Sequence, residues 1–336
     1  NRTAKDEPDL SAWPSGAARF IEPMRAKLVS ALPEGGEWRY EIKLDGYRVL
    51  AVKNAGRVSL LSRHDNALND RFPAVAEACG ALDDDTVLDG EVVALDEQGR
   101  PSFTLLQNSR GGRQPIVYYV FDLPIFRGHD LLGARLDERR RLLEQYVMPG
   151  LSDPVRLSAT VDATPAELIR AAREQHLEGL VAKRGSSIYE PGQRSGAWVK
   201  FRTAEGQELV IGGYLPGPHV FGALLAGYYD GDRLLFIGKI KNGFTPALRR
   251  KVAERFKGLG ATRCPFANLP EPKNARRGKA LTAEVMKECC WLKPELVAQI
   301  EFTDWTAANH LRHSRFVAFR DDVDPREVHH EVPAAP

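Results

Sequence analysis

Alternating apolar and polar positions divide the first two hundred residues into short segments. Five of them have the Val-, Ile- and Tyr-rich pattern of β-strands: residues 37–42 (EWRYEI), 47–53 (YRVLAVK), 57–62 (RVSLLS), 86–95 (TVLDGEVVAL) and 116–123 (IVYYVFDL). The first two strands are joined by LDG, which predicts a tight turn. Apolar residues recur at helical spacing in 135–147 and 165–176, the second preceded by Thr164 as a cap. This mixture predicts an α+β domain.

A different pattern begins after Phe201. Short strands are predicted at 208–215, 223–229, 233–240, 296–303 and 315–319, with a single helix at 246–257. Short strands interrupted by one helix are typical of a small Greek-key barrel such as an OB-fold. Polar residues and Gly206 separate the two patterns, so the boundary is predicted within 203–207. We therefore expect an α+β domain over 1–204 and an OB-fold β-barrel domain over 205–336.

Composition narrows the class of protein further. The chain of 336 residues is 43% hydrophobic and 27% charged, as expected for a globular protein. It has no apolar run long enough to span a bilayer and no secretory signal, which predicts a cytoplasmic protein. It begins with Asn1 rather than Met, so we expect a trimmed chain or a piece of a longer polypeptide. The four cysteines show no paired CxxC spacing, and we interpret them as idle thiols.

Charge is unevenly distributed along the chain. The net charge is only +2, but residues 241–279 contain eleven Lys and Arg against two acids, a local charge of +9. Residues 260–280 within this stretch are predicted to form a long basic loop. Such a stretch attracts polyanions by counterion release, and it predicts contacts from Arg249, Arg250 and Lys251 to a phosphate backbone. The alternative is a solvated helix face.

The first candidate for chemistry is Glu-Ile-Lys-Leu-Asp-Gly-Tyr-Arg at 41–48. A lysine amine such as that of Lys43 can attack phosphorus and hold a phosphoryl group as a phosphoramidate, which divides one difficult transfer into two easier ones. A free lysine has a pKa of about 10.4, so an attacking amine needs neighbouring cations or a metal that favour loss of its proton. Gly46 permits a tight turn and a close approach of the backbone to a nucleotide. By itself the KxDGxR pattern could equally be an exposed hairpin.

Further motifs follow in order: Ser62-Arg63, Asp89-Gly90-Glu91 and Tyr119–Asp122 at predicted strand ends, then Glu178–Lys183 and Trp198–Arg202. The ordered series resembles the covalent nucleotidyltransferase superfamily of DNA ligases, RNA ligases and messenger-RNA capping enzymes. The finer resemblance, to bacterial ATP-dependent ligases of the DNA ligase D type, covers nearly the whole chain. It rests on FIEPMRAKLV (20–29), FTLLQ (103–107), EGLVAKR (178–184), IEFTDWT (300–306) and LRHSRFVAFRDD (311–322).

The resemblance implies a role for each motif residue. Lys43 is the nucleophile that becomes adenylated, and the backbone at Glu41 and Ile42 reads the adenine edge. Glu91 and Glu178 are hard oxygen ligands for Mg²⁺ or Mn²⁺, which neutralises phosphate charge. The remaining residues are binding contacts: Arg48 to the ribose or the incoming 5′-phosphate, Arg63 to ribose or phosphate (and thereby DNA), Phe121 and Val181 to the two adenine faces, and Lys183, Lys200 and Arg202 to the α-phosphate.

Two positions depart from the family pattern. The motif that usually reads Lys-x-Lys is Lys200-Phe201-Arg202 here, and arginine keeps the charge and can bind phosphate through two donors. The last motif usually reads Arg-x-Asp-Lys, whereas here Arg320-Asp321-Asp322 is followed by Val323. The missing lysine belongs to the set that orients the β- and γ-phosphates of ATP, so the family pattern predicts a less efficient first step.

The function implied by the resemblance is an ATP-dependent DNA ligase (EC 6.5.1.1-type) that acts in repair by non-homologous end joining. AMP is held covalently on Lys43, in a cleft between the domains, and is passed to a 5′-phosphate before a 3′-hydroxyl displaces it. The outer domain closes to present Arg320 and reopens for DNA about a hinge at 203–207. Expected partners are nicked or broken duplex DNA and a Ku-like end-binding protein, with the chain monomeric and associated with the nucleoid.

Two alternatives remain open. Within the superfamily the chain could be an RNA ligase or a capping guanylyltransferase, against which the tail motifs argue. Outside enzymes it could be a DNA-end-binding module that has lost the first step through Val323, against which the presence of Lys43, Glu91 and Glu178 argues.

Overall fold

The computed structural model describes residues 7–107, 115–203, 206–217, 220–272, 280–306 and 309–334. The chain forms two compact units, divided directly after Thr203, and Pro333 and Ala334 belong with the first unit. Among the described residues no helix has the length and apolarity that a bilayer crossing requires.

The strands of the first unit are β1 (Lys27–Leu28), β2 (Trp38–Lys43), β3 (Tyr47–Asn54), β4 (Arg57–Ser62), β5 (Thr86–Ala94), β6 (Ile116–Phe126), β7 (His129–Asp130), β8 (Val155–Leu157), β9 (Thr160–Val161), β10 (Gly179–Arg184) and β11 (Trp198–Arg202). Its α-helices are α1 (Pro73–Ala78), α2 (Phe103–Gln107), α3 (Leu136–Leu142) and α4 (Pro165–Glu174). Short 3₁₀ turns occupy Cys79–Ala81 and Met148–Gly150.

These strands form two sheets. The first has the order β1-β11-β10-β2-β9, and the second has the order β4-β3-β5-β6-β7 with β8 also beside β6. Helix α4 begins with a capping box between Thr164 and Glu167, which satisfies its first backbone donors. Leu168 and Ala172 of α4 pack with the apolar side of the first sheet, so this helix covers one sheet face and leaves the other for chemistry.

The predicted pairing of the first two strands is wrong. β2 and β3, both fully described, belong to different sheets, so the chain crosses from one sheet to the other directly after Lys43. Gly46 lies in this crossover, where a β-carbon would come within 2.1 Å of the Val92 carbonyl oxygen. The glycine is therefore needed for a close approach between backbones.

Three further expectations need correction. Asp89 and Glu91 lie inside β5, and Phe121 lies inside β6, rather than at strand ends. The helix predicted at 135–147 is α-helical only to Leu142 and then widens into a π-helical turn over Leu143–Val147. Apolar periodicity continues through this turn, so the pattern did not show the change of hydrogen bonding.

The second unit contains β12 (Gly206–Gly217), β13 (Val220–Asp230), β14 (Arg233–Ile240), β15 (Gly260–Ala261), β16 (Cys290–Glu301), β17 (Asp304–Trp305), β18 (Leu311–Arg312) and β19 (Arg315–Phe319). Its helices are α5 (Pro246–Glu254), α6 (Ala283–Met286) and a 3₁₀ turn at Pro325–Glu327. One sheet has the order β14-β13-β12-β16-β15, with β19 also on β16.

The sheet of the second unit encloses an apolar core and agrees with the predicted OB-fold. Phe221, Phe236 and Ile237 are among its fully buried residues. Part of the predicted basic loop, residues 273–279, and part of the predicted hinge, residues 204–205, lie outside the described residues.

Candidate active site

One face of the first sheet collects six of the predicted site residues. Directly paired residues on neighbouring antiparallel strands present their side chains to the same face. Two rows follow from the register, each crossing three strands: Lys43, Gly179 and Arg202 in the first, and Glu41, Val181 and Lys200 in the second. Lys183 and Trp198 belong to a third row on this face. The opposite face carries Tyr40, Leu180 and Phe201, which face the α4 core.

Lys43 ends β2, and its amine donates a hydrogen bond to Glu178 Oε1 at 2.5 Å. Glu178 directly precedes β10, whose first residue, Gly179, pairs with Lys43. A β-carbon at Gly179 would come within 2.0 Å of the Phe201 carbonyl oxygen, so the absence of a side chain allows the close strand contact. The other carboxylate oxygen of Glu178 is buried and has no hydrogen-bond partner among the described residues. Lys43 thus lies at the end of its strand, beside a carboxylate whose second oxygen has no hydrogen-bond partner among the described residues.

Lys183 occupies a more buried position than a phosphate clamp requires. Its side chain is 3% exposed, and Nζ lies 2.9 Å from Glu41 Oε1. The same ammonium lies 4.1 Å from the centre of the Phe121 ring and 4.4 Å from that of Trp198. Burial lowers the pKa of Lys183, and the charge of Glu41 counters this only in part. By register, Arg202 and Lys200 are the cations in the two rows that hold Lys43 and Glu41, while Lys183 is one row further away.

Phe121 joins the two sheets of the first unit. Its ring packs edge-on against Trp198 at 6.2 Å and is 8% exposed. The guanidinium of Arg48 lies 4.6 Å from the same ring. Two cations thus lie within cation–π distance of the Phe121 ring.

Arg48 is held by a carboxylate that the motif analysis had not given a role. Nε and Nη2 of Arg48 donate to the two oxygens of Asp89 at 2.5 and 2.6 Å. Tyr189 donates its hydroxyl to Asp89 Oδ2 at 2.6 Å, and Asp89 is fully buried. Burial alone would lower the pKa of Arg48, but the charge of Asp89 outweighs it and raises that pKa. Arg48 is thus a permanently charged, fixed side chain.

The remaining predicted residues of the first unit are less closely gathered. Glu91 pairs directly with Arg48 in the second sheet and shares its face. Arg63 follows the last residue of β4, and its Nε donates to His64. Ile42 is 37% exposed and lies on the α4 side of the first sheet, so its backbone rather than its side chain is available to the charged face.

The predicted residues of the second unit fall into two places. Arg320 donates to both oxygens of Asp322, at 2.9 and 2.8 Å, and Val323 packs partly buried against the apolar core. Arg249, on α5, donates to the carbonyls of Phe221 and Lys241, whereas Arg250 and Lys251 are exposed.

Sequence reasoning missed two buried arginines of α3. Arg139 forms a two-point ion pair with Asp122, at 2.6 and 2.9 Å, and both side chains are fully buried. Arg140 donates to the Ser158 carbonyl at 2.9 Å and lies 3.5 Å from Glu41 Oε1. The run Arg139–Arg141 has the appearance of a solvated helix face. Its helical spacing from the buried Leu136 and Leu143 was the available clue.

The Glu178 carboxylate is suited to a magnesium ion that is shared with a nucleotide. No group of three or more His, Cys, Asp or Glu side chains is arranged around a common point within the described ranges. Mg²⁺ at nucleotide sites uses one or two carboxylates and takes its other ligands from phosphate and water. The unpartnered buried oxygen of Glu178 is suited to that role.

Comparison with known families supports a single assignment. Residues 23–202 match the family model of the ATP dependent DNA ligase domain, and residues 217–323 match that of the ATP dependent DNA ligase C terminal region. These two matches confirm the predicted α+β nucleotidyltransferase (adenylation) domain followed by an OB-fold domain.

Individual proteins give the same result. The chain is 38% identical over 327 residues to the multifunctional non-homologous end joining protein LigD of Pseudomonas aeruginosa, covering 94% of this chain and 37% of that protein. It is 34% identical over 300 residues to the multifunctional non-homologous end joining DNA repair protein LigD of Mycobacterium tuberculosis, covering 88% of this chain and 38% of that protein. A solved structure of mycobacterial DNA ligase D complexed with ATP and MES has a TM-score of 0.66 at 33% identity, over 93% of this chain and 98% of that chain. The chain spans less than two fifths of the length of the two LigD proteins from Pseudomonas aeruginosa and Mycobacterium tuberculosis.

Proposed function

The chain belongs to the family of ATP-dependent DNA ligases, and we propose that it seals DNA breaks between 5′-phosphate and 3′-hydroxyl ends by way of AMP bound to Lys43. The observation that carries this proposal is the position of Lys43. It is the lysine of the KxDGxR motif, its amine lies beside Glu178, and Lys200 and Arg202 project from the same sheet face.

In the first step the Lys43 amine attacks the α-phosphorus of ATP. A bond forms between Nζ and phosphorus, the bond from that phosphorus to the bridging oxygen breaks, and pyrophosphate leaves with the electron pair. The amine loses a proton, and Glu178, whose carboxylate is hydrogen-bonded to that amine, is the proposed acceptor. Lys200 and Arg202 stabilise the charge that develops on the α-phosphate, because fixed cations act most strongly where charge appears in the transition state.

Two transfers complete the reaction. A 5′-phosphate oxygen of DNA attacks the phosphorus of the lysine-bound AMP, the N–P bond breaks, and the Lys43 amine is regenerated. The 3′-hydroxyl then loses its proton and attacks the 5′-phosphorus, and AMP leaves with the electron pair of the pyrophosphate bond. Arg48 contacts the ribose or the 5′-phosphate, and its ion pair with Asp89 keeps its donors oriented.

Other residues bind the nucleotide in this proposal. Lys183 joins the α-phosphate cations, and the backbone at Glu41 and Ile42 reads the adenine edge. Phe121 and Val181 pack on the two adenine faces. Arg63 contacts ribose or phosphate, and Arg320 contacts the departing phosphates.

A divalent cation, Mg²⁺ or Mn²⁺, belongs to the proposal. Glu178 and Glu91 would hold it, and it would neutralise charge on the phosphates. The spare oxygen of Glu178 supports this role.

The biological setting is proposed from the relatives. Because proteins named for non-homologous end joining are similar to this chain over most of its length, we propose that it acts in the repair of broken duplex DNA. In the same proposal it works as a monomer in the cytoplasm on the chromosomal DNA of the nucleoid, together with a Ku-like end-binding partner.

Nick sealing tests the proposal directly. A nicked duplex with a labelled 5′-phosphate is incubated with the protein and Mg²⁺ in the presence of ATP, GTP or NAD. We expect sealing with ATP but not with GTP or NAD. Nicks in all-DNA strands should be sealed in preference to nicks in all-RNA strands. Sealing of RNA only would favour the RNA-ligase alternative, and GTP dependence would favour a guanylyltransferase.

A further inference from the structure

We propose that Arg140 and Ser158, which lie outside every recognised motif, are positioning residues that hold the Glu41 carboxylate from behind and so fix Lys183 for nucleotide binding. This inference rests on the proposed function, because it deepens the description of the same nucleotide site. It concerns two side chains that contact Glu41, not Lys43, in the structure.

The Glu41 carboxylate is the centre of the arrangement. It is 3% exposed, and each oxygen has its own partners. Ser158 donates its hydroxyl to Oε2 at 2.8 Å, while Oε1 lies 2.9 Å from the Lys183 ammonium and 3.5 Å from Arg140 Nη1. The carboxylate therefore bridges a residue of the charged sheet face and two residues that have no other part in the site.

Arg140 is anchored independently of Glu41. Its Nη2 donates to the Ser158 carbonyl at 2.9 Å and to Glu144 Oε1 at 3.0 Å, and its Nη1 donates to the Phe121 carbonyl at 3.4 Å. The guanidinium thus contacts three places: the strand that carries Phe121, the residue after β8, and the π-helical turn that follows α3. A rigid planar donor group held at so many points can fix the carboxylate that it faces.

The charges explain why a second cation is useful. In a buried site that held only Lys183 and Glu41, the two charges would compensate each other, and Lys183 would attract an anionic ligand only weakly. Arg140 faces the same oxygen of Glu41 as Lys183 does, so this carboxylate is held from two sides while Lys183 lies between the rings of Phe121 and Trp198. Removing either support lets the carboxylate turn, and Lys183 then loses its defined position.

The test measures self-adenylation over a range of ATP concentrations, with radiolabelled AMP transfer as the readout. Ser158→Val and Ser158→Thr add nearly the same volume and differ only in the hydroxyl. We expect Ser158→Val and Ser158→Ala to raise the ATP concentration for half-maximal labelling about tenfold, the effect of losing one hydrogen bond to a charged group, with the maximal rate within about twofold. Ser158→Thr should restore the wild-type value.

Arg140→Lys provides a second route to the same question. It keeps the charge but loses the planar group that bonds several acceptors at once, so it should also raise the half-maximal ATP concentration. The matched controls are Ser152→Ala, an exposed serine before β8, and Arg141→Ala, an exposed arginine that pairs with Glu138 on the same helix. Both controls should behave as wild type.

The outcomes separate this inference from the proposed function. If the wild-type protein is not labelled by ATP, the proposed function itself fails. If the wild type is labelled and Ser158→Val equals Ser158→Thr in half-maximal ATP, the positioning role is overturned. If both Ser158→Val and Ser158→Ala melt below the assay temperature, Arg140→Lys decides. An unchanged half-maximal ATP concentration in a folded Arg140→Lys protein overturns the inference, and a raised one supports it.

Discussion

Lys43, the last residue of β2, and Glu178, the residue before β10, are in contact, with the lysine amine 2.5 Å from one carboxylate oxygen. The contact is set by the strand register, because Lys43 pairs with Gly179, the residue after Glu178. The second oxygen of Glu178 remains unpartnered among the described residues. One carboxylate can therefore serve the nucleophile and still offer an oxygen to a cation.

Removing that carboxylate is the first prediction. Glu178→Ala should lower the rate of nick sealing about a hundredfold, because the variant loses the carboxylate that is proposed to accept the Lys43 proton and to hold the cation that neutralises phosphate charge. Glu91→Ala should also lower it strongly, and extra Mg²⁺ or Mn²⁺ should restore part of the activity in both variants. The measurement is sealing rate against metal concentration. Glu174→Ala, an exposed residue at the end of α4, is the control. Full activity with an unchanged metal dependence would rule out a metal role for either carboxylate.

The second prediction concerns the basic surface of the second unit. Because Arg249 is bound to two carbonyls, the exposed Arg250 and Lys251 are the better candidates for DNA binding. Replacing both with Gln should reduce the slope of log affinity against log salt by about 1.8, because each phosphate that is no longer neutralised removes about 0.9. Self-adenylation should be unchanged. Arg233→Gln, an exposed site elsewhere in the unit, should leave the slope as it is. A wild-type slope in the double variant would identify the basic run as a solvated face.

The third prediction is a pH dependence of stability. Burial alone would raise the pKa of Asp122, but the ion pair with Arg139 outweighs it and lowers that pKa. A carboxyl group with a lowered folded-state pKa stabilises the protein above its unfolded pKa of about 3.9, and that stabilisation is lost as the pH falls through the folded value. The melting temperature of the wild type should therefore fall steeply below about pH 4.

Asp122→Asn isolates this contribution. The variant should melt at a lower temperature at neutral pH, because a fully buried Arg139 loses its counter-charge at a cost of about 3 to 5 kcal/mol. Its melting temperature should then change less than that of the wild type between pH 5 and pH 3. Parallel pH profiles for the two proteins would show that another group controls the acid transition. Asp153→Asn, at an exposed ion pair, should follow the wild type.

The fourth prediction addresses the departure at Val323. Val323→Lys should speed self-adenylation at low ATP, because a cation near Arg320 would steady the departing pyrophosphate. Sealing of a pre-adenylated nick should change little, since no pyrophosphate leaves in that step. Val323 is only partly buried, so a lysine can extend its charge to solvent. Val323→Met provides a control of similar length without charge. Equal labelling rates for Lys and Met would mean that another cation already fills the role.

Local patterns predicted the strands well but not their partners. Residues 57–62 and 233–240 were predicted with the bounds that the structure has, because alternation and turn residues are local properties. The pairing of β2 with β10 joins Lys43 to a segment more than a hundred residues later, and no local pattern contains that information. The expectation of a hairpin at LDG failed for the same reason.

The candidate site shows the same division. The motifs singled out Lys43, Lys200 and Arg202, and the strand register brings their side chains to a common face. They did not reveal that Arg48 is bound by Asp89, or that Glu41 is supported by Arg140 and Ser158. These supports are tertiary contacts between polar residues, and a polar residue in a sequence gives no indication of its burial.

The central claim is that Lys43 carries AMP. Incubating the protein with ATP and Mg²⁺, then measuring the intact mass and mapping the modified peptide, tests it most directly. We expect a mass gain of about 329 Da, located on Lys43 and absent from both Lys43→Ala and Lys43→Arg, since a guanidinium stays protonated and is a poor nucleophile. Lys293→Ala should gain the same mass as the wild type. An adduct on another residue, or undiminished labelling of Lys43→Ala, would contradict the account.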